Sequence, residues 1–160
     1  QGGYEYQGRS YRGWNSFSAH EFFGAPELTT CTGCHMQGEG AGHGFSVTVD
    51  QCSSCHSFQP GDDFSSLGGS PSLNFDHIQQ LMAQLEGLLV ASGVQVLANY
   101  PYFSGIADER QLKAAYNLSF AQNEPGGYVH NGVYLRQLLY DSIVDMGGRP
   151  VLGRPVLVDP

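Results

Sequence analysis

The chain has 160 residues, only 14% of them charged, and a formal net charge of −8. That acidity works against binding nucleic acid or an anionic membrane surface. No stretch reaches the roughly 18–20 apolar residues that a membrane-spanning helix needs, and the length suits one domain.

Residues 1–30 are aromatic and Gly-rich, with Tyr4, Tyr6, Tyr11, Trp14, Phe17, Phe22 and Phe23, and sustain neither a helical nor a strand period. This pattern predicts extended or irregular chain laid over a cofactor or a neighbouring molecule, or else over the domain's own core. Cys31-Thr32-Gly33-Cys34-His35 follows. Residues 37–44 form a Gly-rich loop carrying His43, and the alternation of Phe45, Val47 and Val49 with polar residues predicts a short strand. That strand would lead into Cys52-Ser53-Ser54-Cys55-His56.

These two runs hold all four cysteines. A Cys-x-x-Cys-His run is the attachment pattern of a c-type haem, in which two thiols bind two vinyl groups and the next imidazole takes an axial position. Two runs predict two c-type haems, attached through Cys31, Cys34, Cys52 and Cys55, with His35 and His56 as proximal iron ligands. The spacing Cys-x2-Cys-x17-Cys-x2-Cys also fits a zinc ribbon. Four thiolates already complete zinc, however, and give no reason for a histidine after each pair. A thioredoxin-like redox pair would call for a βαβ context, which is missing. Haem can replace side-chain core, which suits a chain with few long apolar runs and 13 of its 22 glycines before residue 73.

Residues 57–73 read as a Ser/Gly/Pro-rich connection. Three amphipathic helices are predicted beyond it. The first covers about 76–92, with Asp76 as N-cap, a stripe of Ile78, Leu81, Met82, Leu85, Leu88 and Leu89, and Gly93 as the stop. The second covers about 108–122, capped by Asp108, with Leu112, Ala115, Tyr116 and Phe120 on one face. The third covers about 132–146, capped by Asn131, with Leu135, Leu138, Leu139, Ile143 and Met146 as its stripe and Gly147-Gly148 as its end. Val94-Gln95-Val96-Leu97 reads as a short strand, and the Pro-rich tail from 149 as extended chain. Asn117-Leu118-Ser119 matches a glycosylation acceptor but falls mid-helix. The expected fold is mainly α with much irregular coil and little β, organised by haem. It forms a single domain, with a haem-binding half over 1–73, a helical half over 74–148 and a tail over 149–160.

Each iron has a second axial position, which His or Met fills in electron-transfer cytochromes. His130 stands just before a helix start, a rigid mount for an imidazole. His43 lies between the two attachment runs, and His20 eleven residues before the first. His77, near a helix start but off its apolar stripe, reads as an exposed polar residue. Met82 and Met146 fall on core stripes, and Met36 follows a proximal histidine too closely to reach the opposite face. Bis-histidine coordination at both irons is therefore expected, which leaves no open site and favours electron transfer over catalysis. The alternative is a haem enzyme or sensor, a peroxidase or gas binder, with one open axial position.

Cys31-x-x-Cys34-His35-Met36, Gly42-His43-Gly44-Phe45 and the second attachment run resemble the C-terminal portion of multihaem c-type cytochromes of metal-respiring bacteria, distantly akin to the nitrite reductase type. Ala114-Ala115-Tyr116-Asn117, Tyr128-Val129-His130-Asn131 and Leu138 to Ile143 resemble the same group. The resemblance covers most of residues 4–146. It implies a multihaem cytochrome c fold and a distal-ligand role for His130, in a place where the family often has His-Asn-Pro; Gly132 stands in for that Pro. It leaves His20 serving a haem of this chain or one of a neighbouring subunit. A lysine ligates the catalytic haem of nitrite reductases, but Lys113, the only lysine, lies in no attachment run, so that activity is not implied.

Taken together, these features predict a one-electron carrier rather than an enzyme. Its partners would be redox proteins or extracellular electron acceptors, with self-association through stacked haems into a longer chain or filament as a further expectation. Haem attachment of this type takes place outside the cytoplasm. With no initiator Met or leader at Gln1, a mature periplasmic or extracellular form with its signal peptide removed is expected.

Overall fold

The computed structural model describes residues 2–12, 30–36, 46–53, 55–58, 62–66 and 73–156. The chain falls into two compact units, one of residues 1–14 with 73–160 and the other of residues 15–72. Trp14, Phe17, Phe22, Phe23 and Phe45 lie outside the described residues.

In order, the elements are a short helix α1 (Cys31–His35), helix α2 (Leu73–Ala91), strands β1 (Gln95–Val96) and β2 (Phe103–Ser104), helix α3 (Glu109–Gln122) and helix α4 (Gly127–Asp145). Single 3-10 turns occur at Val49–Gln51 and Phe64–Ser66. The protein is mainly α, and the described β structure is one antiparallel ribbon pairing Val96 with Phe103. β2 was not foreseen. Its two residues are too few to carry a period.

Helix α2 begins three residues earlier than its sequence pattern, so Asp76 sits inside the first turn rather than at the cap. A carboxylate there still faces the positive end of the helix dipole. The stop at Gly93 is as expected: its φ is +96°, Val94 N–H donates to Leu89 O and Gly93 N–H to Val90 O. This Schellman closure requires a left-handed residue, which favours glycine. Gly147, with φ +80°, repeats it at the end of α4.

Asp108 caps α3 by accepting from Gln111 N–H at 2.8 Å. Helix α4 has one extra turn, residues 127–130, before a break at Asn131 (φ −160°, ψ 65°). Asn131 Oδ1 then accepts from Tyr134 N–H at 3.3 Å, which is the capping role its sequence position implies.

The core of this unit joins Ile78, Leu81, Leu85 and Leu89 of α2, Ala114, Ala115, Leu118 and Ala121 of α3, and Leu135, Leu139 and Ile143 of α4. Met82 and Met146 pack against it, as their stripes indicate. The face of α3 is the expected one at Ala115, which is buried, and at Phe120, which packs against the core, but not at the other two positions. Leu112 and Tyr116 are exposed, while Ala114, Leu118, Gln111 and Asn117 are buried. Small alanines let the helices approach closely, and the buried amides serve neighbouring backbone. Asn117 is fully buried and bonded to the chain at Tyr4, so it is no glycosylation site.

That use of amides recurs on all three long helices. An extended segment with no strand beside it has backbone donors and acceptors to satisfy. A Gln or Asn side chain offers the same pair of groups as a peptide bond. Asn117 accepts from Tyr4 N–H at 2.6 Å and donates to Tyr4 O at 3.0 Å. Gln137 accepts from Arg12 N–H at 2.9 Å and donates to Pro155 O at 3.1 Å. Gln111 joins Ala107 N–H to Ser92 O, and Gln84 joins Val151 N–H to Arg149 O. Residues 2–12 are thus fixed to α3 and α4 of their own unit, the core-covering alternative for this aromatic segment. The approach is close enough that a Cβ on Gly3 would collide with Leu138.

Gln137→Met keeps the volume of a fully buried side chain and strips both backbone bonds. It is expected to cost about 2–4 kcal/mol in urea unfolding, because two polar groups lose their partners. A cost below about 0.5 kcal/mol would show that water replaces the amide freely.

The second fastening is ionic. Asp141, with a side chain 1% exposed, accepts two bonds from Arg154 Nε, at 3.0 and 3.1 Å, and one from Arg154 Nη2 at 2.9 Å. Tyr11 Oη–H donates to it at 2.7 Å, and Arg9 Nε lies 3.7 Å away. Arg154 Nη2 also donates to Ser10 O. Burial first, and the bond to Asp141 second, push the Tyr11 phenol well above its usual range, so it remains a donor. One carboxylate therefore gathers residues 9–12, α4 and the tail.

Candidate haem-attachment site

The first cysteine run folds as one helical turn. Thr30 caps it, its hydroxyl accepting from Gly33 N–H at 3.0 Å. Gly33 is buried, and Met36 N–H closes back to Thr32 O at 3.0 Å. In a helix, residues three and four apart are neighbours, with Cβ atoms about 5–6 Å from each other. Cys31, Cys34 and His35 therefore share one side of the turn.

The second run reaches the same arrangement by another route. The expected strand over 45–50 is not formed in its described part. Residues 46–48 are irregular and Val49–Gln51 winds as a 3-10 turn. That turn hands on directly, with Cys52 N–H donating to Val49 O at 3.0 Å. Cys55 N–H and His56 N–H then both donate to Cys52 O, at 3.2 and 2.9 Å. The carbonyl of the first cysteine thus sets the second cysteine and the histidine one helical turn on, as in α1. The His56 ring lies 6.3 Å from that of Phe58.

The donor set fits a covalently held haem: each turn offers two thiols and one imidazole on a common side. It fits the rival readings less well. All four cysteines are described and none is in a disulfide. Among the described residues no three His, Cys, Asp or Glu side chains converge to hold a metal ion, so the zinc ribbon gains no support. A redox Cys-x-x-Cys works through a depressed thiol pKa. Here burial, and then Cys31, push the Cys34 thiol up; burial, and then Cys34, do the same for Cys52.

Comparison with known proteins points the same way. The chain is 28% identical, over 88% of its length, to the C-type polyheme cytochrome OmcB of Geobacter sulfurreducens. It is likewise 28% identical, over 88% of its length, to the C-type polyheme cytochrome OmcC of the same species. Over most of its length the chain is thus similar to multihaem c-type cytochromes.

The chain spans about a quarter of the length of these curated relatives, 24% in each case. No family model and no solved structure matches it. No helix among the described residues is long and apolar enough to cross a membrane.

The other histidines of the chain fall into three groups. His20 and His43 lie outside the described residues. His130 sits in the extra turn of α4, half-exposed, directly before the capping Asn131. Its Nδ1 is 2.7 Å from Glu124 Oε1, and its ring packs over Gly126, where a Cβ would lie 2.9 Å from Cε1. Ligating histidines are commonly held through the other ring nitrogen by a carboxylate or carbonyl, which fixes the tautomer. In the tautomer that donates Nδ1–H to Glu124, Nε2 is the nitrogen left to ligate. Glu124 escaped the sequence reading, since a lone acid before Pro125-Gly126-Gly127 carries no signal of its own.

His77 differs from the expectation of an exposed residue. It is partly buried, and its Nδ1 is buried without a hydrogen-bond partner among the described residues. Burial and the nearby Arg136 push its pKa down, against Asp76, and so favour a neutral imidazole.

Proposed function

We propose that this chain is an extracytoplasmic dihaem electron carrier. The observation that carries the reading is the pair of matching helical turns, each placing two cysteines and a histidine on one side. Cys31 and Cys34 would anchor one haem and Cys52 and Cys55 the other, with His35 and His56 as proximal ligands. Haem iron in such a site supplies a one-electron couple. The chain's own cysteines would hold it, and its histidines would supply the imidazoles that ligate the iron.

His130, His43 and His20 are the proposed distal ligands. The Glu124 contact supports His130, because it presents a pre-oriented imidazole. Two imidazoles at each iron favour a lower potential than His/Met ligation and leave no position for substrate. Redox proteins or extracellular acceptors would be the partners, and stacked haems of successive copies would extend the electron path.

The test is a pyridine haemochrome assay with visible spectra. Two haems per chain, low-spin in both redox states and indifferent to carbon monoxide, are expected. Ready carbon monoxide binding would instead select a haem enzyme or sensor. His130→Ala should convert one haem to high spin and leave the other low-spin. Two low-spin haems in that variant would exclude His130 as a ligand.

A further inference from the structure

We propose that the β1–β2 hairpin is a self-association surface, through which two copies of the chain pair edge to edge. The stretch Gly87–Ala107 holds no charged residue, in a chain of net charge −8. Most of it is exposed nonetheless. Tyr100 is 86% exposed, and Val90, Val96, Leu97, Tyr102 and Ile106 are exposed beside it in sequence. Such a run of uncovered apolar residues marks an interaction surface.

The hairpin is built to hold its shape without a partner. Leu97 N–H donates to Tyr102 O at 2.7 Å and Tyr102 N–H to Asn99 O at 2.8 Å. The Tyr100 and Tyr102 rings meet edge to face at 6.1 Å. Gln111 ties the base of the ribbon through Ala107 and Ser92. Tyr102 has φ +66°, a left-handed angle costly for a bulky side chain and more often kept where a site needs it.

Two features point to a second copy as the occupant. The first is charge. Copies that each carry −8 repel one another over most approaches, and a charge-free stretch is where the repulsion is least. A basic partner would gain nothing here. The second is the ribbon edge. Gln95 faces Ser104 and Val96 faces Phe103. With Leu97 N–H bonded to Tyr102 O, alternation along the antiparallel ladder turns the N–H and C=O of Val96 outward. No third strand covers them among the described residues. Unpaired edge groups are a template for pairing; β1 is only two residues long, so it offers one such pair of bonds, between Val96 and Val96 of a second copy about a two-fold axis, and the exposed apolar side chains carry the rest of the contact. That contact is isologous and closes at two copies. It is independent of the haem reading, and distinct from open-ended haem stacking.

The experiment is light scattering after size-exclusion chromatography of the haem-loaded chain, from micromolar to sub-millimolar concentration. A monomer–dimer equilibrium is expected. It should tighten when salt is raised to about 0.5 M, which shortens the Debye length to about 4 Å and screens the repulsion between copies. Val96→Lys and Tyr100→Lys should each weaken the dimer about tenfold or more, with thermal midpoints unchanged in dilute solution where the chain is monomeric, since a charge would be buried at the contact. Tyr100, being almost wholly exposed, serves even if the strand substitution perturbs the hairpin. Monomers at every concentration, weakening by salt, or larger species indifferent to both substitutions would each overturn the proposal.

Discussion

Replacing Cys52 and Cys55 together by alanine is expected to leave a chain carrying one haem in place of two, with intact mass lower by one haem. The turn matters here as much as the cysteines. The carbonyl of residue 52 holds the N–H groups of residues 55 and 56, so the backbone turn survives the substitution while both points of covalent attachment go. His56 would then be an imidazole on a turn with nothing tethered beside it. The same pair of substitutions at Cys31 and Cys34 should remove the other haem, since the Thr30 cap that forms α1 uses neither thiol. The two losses should be independent and sum to none. Retention of two haems in either double variant would refute the assignment, and loss of both would show that the attachments are not separate.

Asp141→Ala should be the most damaging single change in the helical unit. The carboxylate is almost wholly buried and meets Arg154, Tyr11 and Arg9. Removing one member of a buried charged pair strands the other and typically costs about 3–5 kcal/mol. That is a large share of the roughly 5–15 kcal/mol that holds a domain folded. The expected result is a marked drop in the urea midpoint, with residues 2–12 becoming the first target of limited proteolysis. A double cycle with Arg154→Met separates the pair from mere packing. If the network acts as a unit, the double variant loses much less than the two single losses added together. A single loss below about 1 kcal/mol, the scale of an exposed pair, would show that Asp141 is solvated in solution.

The parts legible in sequence were those governed by local chemistry. The attachment runs could be read because covalent geometry dictates their spacing. Asp108, Asn131, Gly93 and Gly147 could be read because a cap or a left-handed stop depends on a few adjacent residues. The faces of α2 and α4 followed from long Leu-rich stripes. The face of α3 followed only in part: Ala115 and Phe120 meet the core as expected, while Leu112 and Tyr116 point to solvent and Asn117 and Gln111 point inward. Hydrophobic periodicity cannot anticipate an amide buried to serve a strand-like segment more than a hundred residues away in sequence. The strand expected before Cys52 failed for a related reason. Val47 and Val49 alternate correctly, but the turn that presents Cys52 begins at Val49 and claims its backbone. Residues 2–12 showed no period because side-chain amides fix them and no regular ladder does.

The clasp around Asp141 also has a consequence for the order in which the molecule is made. Tyr4 meets Asn117, 113 positions later, and Ser10 meets Arg154, 144 positions later. A chain emerging from the ribosome or a translocation pore presents both cysteine runs long before α4 and Arg154 exist. Contacts so distant in sequence form late. Residues 31–56 therefore emerge before the clasp can shut, and the proposed attachment can begin on a chain whose ends are not yet joined.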